Sequence, residues 1–90
     1  MTTKTIFKYP LAITDSQAVL MPVSAEILSV QFQGEYLCLW AAVNPSEKKH
    51  ARVIHIFGTG HPIPDATKIR FIGTAQQFDG RLVWHVFEQD

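Results

Sequence analysis

The chain has 90 residues, 47% of them hydrophobic, and its eight basic and eight acidic side chains cancel. That length fits one domain over residues 1–90, and the apolar content with no net charge excludes a disordered chain. A basic excess is also missing, so duplex nucleic acid is not an expected partner.

Period-two alternation runs through most of the sequence and predicts strands. Thr5 to Tyr9 reads as the first, closed by Pro10. Gln17 to Met21 reads as a second, ended by Pro22, with a helical turn as the competing reading near Asp15–Ala18. From Glu26 to Gln33, Leu28, Val30 and Phe32 alternate with Ser29, Gln31 and Gln33, the pattern of a strand with one buried face. Gly34 and Glu35 turn the chain into Tyr36–Val43, which is apolar on both faces. Such a strand is either central and covered twice or lies at a subunit contact.

Asn44–Lys49 is a polar turn, followed by a strand over Ala51–Phe57. The longest irregular stretch comes next, Gly58 to Thr67, where two Gly and two Pro interrupt regular structure. Ile69–Phe78 and Arg81–Glu88 then flank Asp79-Gly80, a pair suited to the positive φ angles of a tight hairpin. Six or seven short strands with little or no helix predict an all-β fold, a small antiparallel sandwich or barrel. Val83, His85 and Phe87 form a second apolar face opposite Leu82, Trp84 and Val86. Two doubly apolar strands exceed what one small core covers, which predicts a homo-oligomer.

The single cysteine, Cys38, excludes an intrachain disulfide. With no signal peptide and no long apolar run, it points to the cytoplasm and away from a membrane. The four histidines, at 50, 55, 61 and 85, show no short metal-ligand spacing, so neither a metal nor a cofactor is expected. His55 and His85, both on strands, could face one another across the sheet. No nucleophile elbow or paired-carboxylate motif accompanies them, and an enzyme is not the favoured reading.

The loop Gly58-Thr59-Gly60-His61 is the candidate ligand site. Its glycines can present backbone N–H groups to an anion, and the hydroxyl and imidazole add donors. It lacks the Gly-Lys-Ser/Thr ending of a phosphate-binding loop. Arg52 and Arg70 are the candidate phosphate partners, and Trp40 is a candidate stacking surface.

Several segments occur together in a distinctive order: Lys8-Tyr9-Pro10-Leu11, Met21-Pro22, Ala25-Glu26-Ile27-Leu28-Ser29-Val30-Gln31, Leu37-Cys38-Leu39-Trp40-Ala41, Phe57-Gly58-Thr59-Gly60-His61-Pro62-Ile63, Ile72-Gly73-Thr74 and Val83-Trp84-His85-Val86-Phe87-Glu88. Over nearly the whole chain they resemble a family of short proteins encoded by bacteriophages and prophages. The resemblance implies a genetic setting and supplies no catalytic residues. In that setting the expectation is a non-enzymatic, self-associating binding protein that counteracts a host defence by sequestering a small anionic, nucleotide-like ligand. The alternatives are a protein–protein module, acting on a host protein or in virion assembly, and a small hydrolase using His61 or His85 as base.

Overall fold

The computed structural model describes residues 3–65 and 68–90. Seven strands form: β1 (Thr5–Leu11), β2 (Ser16–Pro22), β3 (Glu26–Gln33), β4 (Tyr36–Val43), β5 (Lys49–Gly58), β6 (Ile69–Gln77) and β7 (Leu82–Gln89). They build two antiparallel sheets, one in the order β1-β4-β3 and the other β2-β5-β7-β6. The fold is the all-β sandwich that the alternation predicts, and no described residue is helical.

Inner faces meet over one core. Leu37, Leu39, Ala41 and Val43 of β4 are buried against Met21, Ile54, Ile56, Ala75 and Val86 of the other sheet. β4 is central in its sheet, which accounts for its apolar inner face. Its outer face carries Trp40 and Cys38, and Cys38 is buried all the same. Lys8, from β1, reaches across β4 to bond Gln33 Oε1 of β3 at 2.7 Å, and such long side chains cover apolar surface with their stems.

Several strand bounds differ from expectation. Pro10 lies inside β1 and Pro22 inside β2, where each was expected just past a strand end. Both strands are sheet edges, where the missing N–H costs no ladder bond if it faces outward. Asp15–Ala18 holds no helical turn, since β2 begins at Ser16 and its ladder with β5 satisfies the backbone. Lys49 and His50 belong to β5, paired with Pro22 and Met21.

The hairpin at Asp79-Gly80 forms as expected. Both residues have positive φ, 55° and 86°, and Arg81 N donates to Phe78 O at 3.1 Å. The ladder closes at Gln77 and Leu82, a residue inside the expected strand end at Phe78 and start at Arg81.

Because β5 and β6 are each antiparallel to β7 between them, they run parallel to one another. Parallel strands cannot be joined by a tight turn. The long stretch after Gly58 is therefore a crossover connection; its Ala66 and Thr67 lie outside the described residues.

Candidate functional site

The residues singled out in the sequence fall in three places. Arg52 and Arg70 come together at one end of the four-stranded sheet, on its inner face, on either side of Glu88. Gly58, Thr59, Gly60 and His61 lie at the opposite end of β5, where Gly58 pairs with Trp84. Six steps along the strand separate Arg52 from Gly58, about 20 Å at the usual rise. Trp40 stands on the outer face of the other sheet, opposite Lys8 and Ser29. A small ligand cannot touch all three.

The arginine end is a closed charge network. Arg52 Nε donates to Glu88 Oε2, its Nη2 to Glu88 Oε1 at 2.9 Å, and its Nη1 to the Ala25 carbonyl at 2.6 Å. Arg70 Nη2 reaches the same carboxylate at 3.1 Å, and its Nε pairs with Asp90 at 2.8 Å. Hydrogen bonding from Arg52 outweighs burial and holds the Glu88 carboxyl below its usual range. The same bond raises Arg52. A cleft of about 460 Å³ opens here, lined also by His50, Val53 and Gln89, and it is larger than the one at the glycine loop. Two guanidinium groups already face two carboxylates, so the larger cleft has no uncompensated arginine for an anion.

The glycine loop is built differently. His61 N donates to Gly58 O at 3.0 Å, which makes residues 58–61 a β-turn, and Gly60 has the φ of 89° at the third position that marks the type II form. The His61 ring folds back over Gly58, where a Cβ would stand 2.8 Å from His61 Cε1. Thr59 N donates to Val83 O at 3.2 Å and ties the turn to β7. A cleft of about 320 Å³ lies between this turn and the β6–β7 hairpin, and Gly58, Thr59, His61, Arg81, Leu82 and Trp84 line it.

Arg81 is the residue that the sequence reading left out of the site. Next to Asp79-Gly80 it reads as part of a turn. Its nearness to residues 58–61 follows from the pairing of Gly58 with Trp84, which no local pattern reveals. Among the described residues no carboxylate lies within ion-pairing distance of Arg81.

His55 and His85 share the outer face of the four-stranded sheet but are not opposite one another. His55 pairs with Phe87 and His85 with Phe57. His55 bonds Gln89 Oε1 at 2.8 Å. His85 is held at both ring nitrogens, by Thr59 Oγ1 at 2.8 Å and Thr74 Oγ1 at 3.0 Å. The second nitrogen thus meets a neutral hydroxyl where a catalytic triad would place a carboxylate. Among the described residues no group of three or more His, Cys, Asp or Glu side chains could hold a metal ion, and no helix is long and apolar enough to cross a membrane.

These features define a two-sheet β-domain with one neutralised arginine cluster and one cleft carrying a free arginine. The chain belongs to the DUF7352 family, a domain of unknown function whose family model matches residues 2–90. No curated protein and no solved structure matches the chain.

Proposed function

We propose that this protein is a non-catalytic binder of a small anionic, nucleotide-like ligand, held in the cleft between residues 58–61 and the β6–β7 hairpin. One observation carries the reading: Arg81, the arginine with no carboxylate partner among the described residues, lines the same cleft as Thr59 and His61. A guanidinium fork matches phosphate oxygens with two parallel hydrogen bonds. Leu82 and Trp84 give the cleft an apolar wall for a base or sugar. Its volume of about 320 Å³ suits a small ligand. In the phage setting that the sequence resemblance implies, such binding withdraws a host nucleotide signal from its receptor.

Titration calorimetry against inorganic phosphate, nucleoside monophosphates and cyclic nucleotides tests this. The expected result is binding of a phosphorylated ligand and none of the bare nucleoside. Arg81→Gln should lower the affinity at least about tenfold, the worth of one charge-assisted contact, while Arg70→Gln leaves it within about twofold. Absence of heat with every phosphorylated ligand, or unchanged affinity in Arg81→Gln, removes the reading.

A further inference from the structure

The outer face of the four-stranded sheet is apolar and carries no formal charge across its middle. Ala18 and Leu20 of β2, Val53 and Phe57 of β5, Val83 and Phe87 of β7, and Phe71 of β6 share it, interspersed with His55, His85 and Thr74. Phe71 packs edge-on against Phe87 at 5.3 Å between ring centroids, and Phe87 against Phe57 at 5.7 Å. The row of rings is not covered from above: Phe71 and Leu20 are each 60% exposed. The other sheet's outer face is unlike it, since Lys8 and Gln33 bridge over β4 there.

We infer that this face is where two copies of the chain associate, sheet on sheet, about a twofold axis. Three features select a second copy as occupant. The middle of the face is uncharged, with Lys49 only at its end, so a symmetric contact sets no like charges against each other there, and a partner chosen by charge complementarity finds nothing to read. The whole chain has a formal net charge of zero, so copies do not repel at a distance. Sheet faces bearing apolar side chains also stack on one another at about 10 Å, which makes a second copy of the same face a fitting partner.

Area sets the strength. Four strands spaced about 4.8 Å apart, each with about seven residues on a rise of about 3.3 Å, span roughly 440 Å² in projection. Two such faces together come to roughly 880 Å², below the about 1,000 Å² that a specific, stable interface clears. The dimer is therefore reversible and concentration-dependent. None of this rests on the ligand cleft or on Arg81.

Sedimentation velocity over micromolar to millimolar protein is the test. Wild type should pass from monomer to dimer mass as concentration rises. Phe71→Asp, which plants one charge per copy on the apolar face at its β6 edge, should shift the midpoint at least about tenfold upward. Tyr36→Asp, at an exposed site on the other sheet, should leave it unchanged. Leu20→Asp stands in if Phe71→Asp fails to give a wild-type near-ultraviolet spectrum. Monomer mass throughout the range overturns the inference, as does association that ignores both charged variants; a monomer that acquires a different protein from lysate counts with the first of these.

Discussion

Glu88 is the buried acid of the described core, and three donors on two arginines satisfy it. Truncating such a group leaves Arg52, whose side chain is 14% exposed, desolvated without its counter-charge. Removing one member of a buried pair costs about 3 kcal/mol or more. Glu88→Ala should therefore lower the urea midpoint by far more than Asp90→Ala, whose partner Arg70 stays solvated. The pair also makes stability depend on pH. Because the folded Glu88 carboxyl ionises below its ordinary value of 4.5, the unfolded chain binds its proton first as pH falls. Its contribution is complete above that value and is lost as pH drops through the lower folded one. The stability difference between wild type and Glu88→Gln should be constant from pH 7 to about 5 and shrink below about 4.5, as urea melts across that range will show. None of this network is visible in the sequence, because Arg52 and Glu88 are 36 positions apart and no local pattern pairs them.

β3 and β6 belong to different sheets yet meet at one side of the sandwich. Both are edge strands with a register shift, at Ile27/Ser29 in β3 and Phe71/Gly73 in β6. An extra residue bends and twists its strand, which lets two edges approach while blunting them against outside pairing. Gly73 is the point of closest fit: a Cβ there would come within 2.9 Å of Val30 Cγ1. Val30 is buried, and a β-branched side chain has little rotamer freedom to yield. Gly73→Ala should cost about 1–3 kcal/mol, and pairing it with Val30→Ala should recover part of that, giving a clear non-additive term in denaturant melts. The strands themselves could be read from the alternation, because each of Glu26–Gln33, Tyr36–Val43 and Ala51–Phe57 keeps one face in a shared core. Strand order and bulges could not. A bulge at Leu28 or Ile72 adds a residue without altering the apolar count, and the insertion of β7 between β5 and β6 depends on contacts far apart along the chain. The same long-range pairing is what swaps Arg52 and Arg70 for Arg81 beside the glycine turn.

The cleft adjoins the apolar outer face, sharing Val83 with it, and His85 ties the two together. His85 stands among the rings of that face, and its Nε2 bonds Thr59 of the glycine turn while its Nδ1 bonds Thr74 of β6. In the proposed dimer a second copy would restrict the His85 ring, and a restricted ring would fix the Thr59 hydroxyl and the turn that carries it. A ligand in the cleft then meets a turn that has already lost part of its freedom, so binding costs less ordering. The two proposed contacts would reinforce one another, and linkage makes the effect reciprocal: dimer would bind ligand more tightly by the same factor that ligand tightens the dimer. A factor of about 5 or more is within the ordinary range for such coupling. Thr74→Val is the discriminating variant, since it touches neither the cleft nor Arg81 and keeps the face apolar. It should leave dimerisation and ligand affinity each measurable, with the coupling factor brought toward one, when calorimetry is run below and above the association midpoint. Equal coupling in wild type and Thr74→Val would mean that the two surfaces communicate by some route other than His85, or through the shared rigidity of β7 alone.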